Sequence, residues 1–112
     1  MRKDRVASVL EREISNIVTQ EIRDPRLGFI TITSVEVTAD LKTAVIYFSS
    51  LGDKVESFQT LKRAKGYIRS VLAHRIRLRS VPELEFKIDN SYEYRQRIDE
   101  LFKKISTDDK EE

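Results

Sequence analysis

The chain has 112 residues, of which 21 are basic and 19 acidic, with a hydrophobic fraction of 39% and no cysteine. That is one domain, able to bury roughly two thirds of its unfolded surface without staples, and it excludes disulfides and thiolate metal sites. No run approaches the roughly 18 apolar residues of a membrane span, and the charged start MRKDRVASVLEREI lacks an apolar h-region and cleavage site, so a cytoplasmic protein with no membrane partner is expected.

Val6, Leu10, Ile14, Ile17, Val18 and Ile22 fall on one face of a first helix, with Arg5, Glu11, Arg12 and Glu13 on the rest. Pro25 stops that helix, because the residue before a proline is pushed out of the helical region. Asp24-Pro25-Arg26-Leu27-Gly28 then reads as a turn. From Phe29 the period changes to two: Ile30 and Ile32 alternate with Thr31 and Thr33, and the run continues through Val35 and Val37. Asp40 marks a turn before Leu41 to Ser50, again rich in β-branched and aromatic residues. Strands joined so briefly form an antiparallel hairpin, with one covered face and one largely open one. Asp53 is placed to cap the next helix, whose apolar face begins at Val55, Phe58 and Leu61.

Ser57 to Pro82 holds seven basic residues (Lys62, Arg63, Lys65, Arg69, Arg75, Arg77, Arg79) and no acidic one. The rest of the chain keeps 14 basic against 19 acidic, so near-neutral totals conceal one concentrated positive field. A polyanion is the natural partner of such a surface. Leu61, Ala64, Ile68, Val71 and Leu72 recur at helical spacing, with Lys62, Lys65 and Arg69 on another face. Gly66 interrupts the pattern at a cost of about 1 kcal/mol relative to Ala, which predicts a kink or break between two helices, or a close approach that no side chain would permit.

Beyond Pro82, Leu84, Phe86 and Ile88 alternate with Glu85, Lys87 and Asp89, the cleanest strand signal in the chain. Asn90-Ser91 with Glu93 resembles a capping box, and Tyr94, Ile98, Leu101, Phe102 and Ile105 continue as an amphipathic helix. The order helix, strand, strand, helix, helix, strand, helix predicts an α+β domain over residues 1–105, with helices packed on one face of a three-stranded sheet. It is close to the type II KH arrangement with an added C-terminal helix. Residues 106–112, STDDKEE, form an acidic tail without an apolar residue, expected to be flexible.

No catalytic constellation can be assembled, so no enzyme, cofactor or metal is expected. His74 is the only histidine and there is no cysteine for it to activate; among basic neighbours it reads as a surface residue or an RNA contact. Gly28, Gly52 and Gly66 are too far apart for a phosphate loop.

Six segments in order carry a resemblance. They are Arg2-x-x-Arg5-Val6; Ile22-Arg23-Asp24-Pro25-Arg26; Val35 with Asp40-Leu41 and Ala44-Val45-Ile46-Tyr47; Ala64-Lys65-Gly66-x-x-Arg69; Leu78-Arg79-x-Val81-Pro82-x-Leu84-x-Phe86; and Asp89 before Ile98. Through them the chain resembles ribosome-binding factor A over nearly its full length. The resemblance implies a KH-like fold and a non-enzymatic assembly factor, a monomer when free. Its implied partners are the immature small ribosomal subunit and its rRNA, near the rRNA 5′ end and decoding region. Roles in late maturation, rRNA 5′-end processing and cold adaptation follow from the same resemblance. It also implies that Ala64-Lys65-Gly66 stands as a kink in place of the GXXG clamp that grips the nucleotide backbone in ordinary KH domains.

Two readings of the basic surface stay open. In one, Lys62, Lys65, Arg69, Arg75, Arg77 and Arg79 on the central helices contact rRNA phosphates, with Arg2, Lys3 and Arg5 as a secondary patch; such contacts position a protein without reading sequence. In the other, the same face serves an acidic protein without direct RNA contact. Reversing Lys65 and Arg69 to Glu is expected to separate the two readings while leaving the thermal melt nearly unchanged.

Overall fold

A computed structural model of the chain describes residues 3–78 and 80–111; the side chains of residues 92–94 and 106–111 lie outside that description. The elements run α1 (Lys3–Gln20), a 3-10 turn (Pro25–Leu27), β1 (Ile30–Val37), β2 (Thr43–Ser50), α2 (Lys54–Arg75), β3 (Glu83–Ile88) and α3 (Ser91–Glu111). The heptad-like apolar face of α1 is buried at Val6, Leu10, Ile14, Ile17 and Val18. Its exit turn is closed by the Asp24 carboxylate, which accepts from the Arg26 backbone N–H at 3.0 Å and from the Arg26 guanidinium at 3.0 and 2.7 Å. Gly28 follows with φ of 68°, a left-handed conformation that favours glycine.

β1 and β2 pair antiparallel as the short connection requires, and β3 joins the far side of β2 in parallel, giving the order β1-β2-β3. A parallel neighbour needs a crossover, and α2 supplies it. The apolar spacing of β1 changes parity between Ile32 and Val35, which would turn half of an ideal strand inside out. A bulge between Ile32 and Ser34 absorbs the extra residue, so Ile32, Val35 and Val37 all reach the core. The displaced Thr33 donates its hydroxyl to Asp89 Oδ2 at 2.7 Å, tying the bulge to the end of β3.

One sheet face is covered by α1 and α2. Ala44, Ile46, Phe48 and Leu84 from the sheet, Leu10, Ile14 and Ile17 from α1, and Leu61, Ile68 and Leu72 from α2 are all fully buried. Two buried hydroxyls find partners: Ser57 donates to the Leu27 carbonyl at 2.7 Å and shares a 3.0 Å hydrogen bond with Ser50. Asp53 caps α2 as expected, accepting from the Glu56 N–H at 3.1 Å. Ahead of α3 it is Asp89 that accepts from the Ser91 N–H, at 2.9 Å; the Glu93 side chain of the expected capping box lies outside the described residues. The stripe of α3 at Leu101, Phe102 and Ile105 is exposed, so only α1 and α2 form the helical layer over this part of the fold. The helical backbone continues to Glu111, into the stretch where composition alone suggested fraying.

The expected division at Ala64-Lys65-Gly66 is corrected. α2 is one helix of 22 residues that runs through those positions. Buried anchors lie on both sides of the glycine, Leu61 before it and Ile68 and Leu72 after it, and such packing outweighs a propensity cost of about 1 kcal/mol. Nothing approaches Gly66 either: a Cβ built there meets no atom within 4 Å. Replacing Gly66 by Ala is therefore expected to stabilise the protein by about 0.5–1 kcal/mol, read as a melting temperature a few degrees higher, whereas Gly28→Ala, at positive φ, is expected to lower it.

Three carboxyls are held below their ordinary range. Hydrogen bonding to Arg26 lowers Asp24 from 3.8 to about 2; Asp40 is lowered first by the Thr38 hydroxyl, and Asp89 by Ser91 and then Thr33. A folded-state pKa below the unfolded one means that unfolding takes up protons, so this stability is complete at neutral pH and is lost as pH falls below about 4. Acid titration of the melt is expected to show that loss, and Asp24→Asn to reduce its size.

Candidate nucleic-acid interface

A helix turns about 100° per residue, which places Arg75 some 140° around α2 from Lys62. Once α2 is continuous, its cations cannot share one surface. Lys62, Lys65 and Arg69 occupy the flank beside β3, while Arg75 occupies the flank beside α1. The expectation of a single basic face is corrected to two separate grooves.

The first groove lies between α2 and the free edge of β3, with a volume of about 220 Å³. Phe58 and Phe86 form its apolar wall, and Lys62, Lys65 and Lys87 surround it with Glu85. Lys62 and Lys87 are exposed and form no ion pair among the described residues. Lys65 is drawn toward Glu83, its Nζ 3.9 Å from Oε1. Arg69 is held more firmly: it lies 3.4 Å from the Glu83 carboxylate and donates to the backbone carbonyls of Val81 and Pro82 at 3.0 and 3.2 Å. Its guanidinium thus fastens the middle of α2 to the entry of β3. The groove sets the exposed Lys62 and Lys87 beside the half-buried Phe58, with Phe86 buried behind it, an arrangement suited to neutralising a nucleic-acid backbone.

On the other flank Arg75 bridges Glu13, at 3.9 Å, and Glu21, and Tyr67 adds a 3.4 Å hydrogen bond to Glu21. These contacts dock α2 on α1. Beside them is a second groove of about 210 Å³. Val6 and Val9 of α1 and Ile76 and Leu78 after α2 give it an apolar floor, and Arg12, Arg77 and Glu13 join Arg75 at its rim. Arg77 is exposed in the loop. Arg5 is exposed on the same face of α1 as Val9 and Arg12, whereas the exposed Lys3, two residues before it, lies about 200° around the helix. Part of the expected N-terminal patch and part of the central basic stretch therefore meet here. Arg2 and Arg79 lie outside the described residues. Ala64 and Gly66, expected to form a kink, sit within α2 and line neither groove. His74 is exposed, and its Nδ1 lies 2.8 Å from the Ser70 carbonyl of its own helix.

Sequence reasoning passed over Lys87, Phe58 and Phe86 in the first groove and Arg12 in the second. Their residue types were visible, but nothing local says that β3 is an edge strand beside α2, or that the loop after Arg75 returns to α1. Among the described residues no group of three or more His, Cys, Asp and Glu could hold a metal ion, and no helix is long and apolar enough to cross a membrane.

A sequence model of the family described as ribosome-binding factor A matches residues 2–102. The crystal structure of ribosome-binding factor A from Thermus thermophilus is similar at 28% identity and a TM-score of 0.73, covering 77% of this chain and 93% of that one. A Thermotoga maritima protein solved by NMR, described as a candidate ribosome-binding factor A, has 36% identity and a TM-score of 0.62 over 78% of this chain and 90% of its own. A Thermus thermophilus ribosome-binding factor A homology model, fitted into a cryo-EM map of a 30S complex, has 27% identity and a TM-score of 0.67 over 75% of this chain and 91% of its own.

The roles assigned above to Arg69 and Lys62 differ in what their loss does to the fold. Arg69→Ala removes charged donors from two backbone carbonyls and is expected to destabilise by about 1–3 kcal/mol. Lys62→Glu, on an exposed and unpaired side chain, is expected to stay within about 0.5 kcal/mol of the parent. Urea denaturation of both variants checks the contrast, which replaces the expectation that reversing Arg69 would leave the melt unchanged.

Proposed function

Because the chain belongs to the ribosome-binding factor A family, we propose that it is a non-enzymatic assembly factor that binds the immature small ribosomal subunit through direct contact with its rRNA. Residues 1–105 act as a KH-like RNA-binding domain and 106–112 as an acidic tail. The protein works as a cytoplasmic monomer in late subunit maturation and rRNA 5′-end processing, including in the cold. Support for these finer roles comes from the family resemblance. Support for an rRNA contact comes from one observation above the others: Lys62 and Lys87 form no ion pair among the described residues and stand beside the Phe58–Phe86 wall at the β3 edge. The related Thermus protein, whose homology model was fitted into a map of a 30S complex, supports the choice of subunit.

In this reading the phosphate contacts come from Lys62, Lys65 and Lys87 in the first groove and from Arg5 and Arg77 near the second. Arg69 and Arg75 act mainly by holding α2 in place, because their guanidinium groups are engaged within the fold. The absence of the GXXG clamp argues against ordinary KH readout. Specificity comes from the shape of the folded rRNA, since phosphate contacts position a protein but carry no sequence information.

If about five phosphates are neutralised, the logarithm of the rRNA association constant is expected to fall with the logarithm of salt concentration at a slope between about −3.5 and −4.5. The double variant Lys62→Glu, Lys87→Glu is expected to flatten that slope by about 2 and to abolish co-sedimentation with immature small subunits. A salt slope near zero, or unchanged rRNA affinity in the double variant, overturns the reading.

A further inference from the structure

The groove between α1 and the end of α2 differs in chemistry from the one at the β3 edge. Its cations are all arginine: Arg12, Arg75 and Arg77 at the rim, with Arg5 on the adjoining turn of α1. Its floor is aliphatic. A site for phosphate alone would need no such floor. At about 210 Å³ it is smaller than the roughly 300–1,000 Å³ of a drug-sized ligand site, and its scale is that of one heterocycle. Arginine offers a planar guanidinium that stacks on a base and grips a phosphate through two parallel hydrogen bonds, which a lysine ammonium cannot do.

One acceptor also faces the groove. Glu13 lies 3.6 Å from Arg12 and 3.9 Å from Arg75, both longer than a hydrogen bond of about 2.7–3.2 Å. Its carboxylate therefore keeps lone pairs open to a further donor. An exocyclic amino group, as on cytosine, supplies such a donor; uracil turns a carbonyl oxygen toward the same place.

We propose that this groove holds a single unstacked nucleotide of single-stranded RNA, its base against the half-buried Val9, Ile76 and Leu78, its phosphate on Arg77 and Arg12, and its exocyclic amine on Glu13. The assignment rests on the rRNA-binding reading and sharpens it. The β3-edge groove tracks backbone, and this one adds a preference for an amino-bearing base at one position to the recognition of rRNA shape. Arg75 is a positioning residue here: its bridge to Glu13 and Glu21 fixes the carboxylate that the base meets.

The test titrates the full chain with CMP, UMP and inorganic phosphate, followed by amide chemical shifts. CMP is expected to shift the amides of Val9, Ile76 and Leu78, with UMP about two- to tenfold weaker, the equivalent of one net hydrogen bond. Inorganic phosphate is expected to shift only the amides of Ile76 and Leu78, which flank Arg77, and to leave that of Val9 in place. Glu13→Gln, which can donate to a carbonyl, is expected to erase or reverse the preference for CMP. Arg77→Ala is expected to weaken both nucleotides while the thermal melt stays at the parent value. Equal shifts from CMP, UMP and inorganic phosphate, no shift with millimolar CMP, or displacement of CMP by polyglutamate as effectively as by RNA would each overturn the proposal. Because the rRNA reading is tested at Lys62 and Lys87, failure here with those variants still defective removes only this nucleotide site. Wild-type rRNA affinity in those variants would instead remove the reading beneath it.

Discussion

The parallel pairing of β2 with β3 constrains everything else in this molecule. Two adjacent parallel strands cannot be joined by a turn, so the intervening chain must return along the covered face of the sheet, and α2 spans that distance as one rod. Leu61, Ile68 and Leu72 are fully buried along it, and the buried Ser57 secures its first turns to the loop after α1. With both ends and the middle anchored, the glycine in the centre has no freedom to open the helix.

That geometry also distributes the charge. A rod lying on a sheet has two flanks, one facing the edge strand and one facing the neighbouring helix. Cations spaced along it are dealt to both. On the β3 flank, Glu83 and two backbone carbonyls claim Arg69 and leave Lys62 at the surface. On the α1 flank, Glu13 and Glu21 claim Arg75 and leave Arg77 in the loop. The cations thus divide into those that hold the fold and those that remain available to a polyanion. Arg69 and Arg75, with several donors each, fill the holding positions, Lys65 leans on Glu83, and Lys62, Lys87 and Arg77 stay exposed.

The ends of the sheet show the same economy of contacts. Asp89 accepts from Thr33 across the sheet and from Ser91 at the start of α3, so one carboxylate ties the β1 bulge, the exit of β3 and the entry of the last helix. Asp24 performs a comparable service at the exit of α1, through Arg26.

The helix and strand types and the buried faces of α1 and β3 could be read from the residues alone, because a period of 3.6 or 2 is written in neighbouring positions; the stripe of α3 was equally legible but stays exposed. Val6 to Val18 in α1 and Leu84 and Phe86 in β3 are examples, and Asp53 was legible as a cap for the same local reason. The run through Val35 and Val37 read as one uninterrupted strand, and only the register shows the bulge between Ile32 and Ser34. What the tertiary structure alone decided was the continuity of α2, the edge position of β3 and the partners of each cation. Arg69 and Glu83 are 14 positions apart, and Arg75 and Glu13 are 62 apart; whether such groups meet depends on how helices lie on the sheet. A run of positive charge is therefore legible in the sequence, and packing determines which of those charges are engaged within the fold and which stay at the surface.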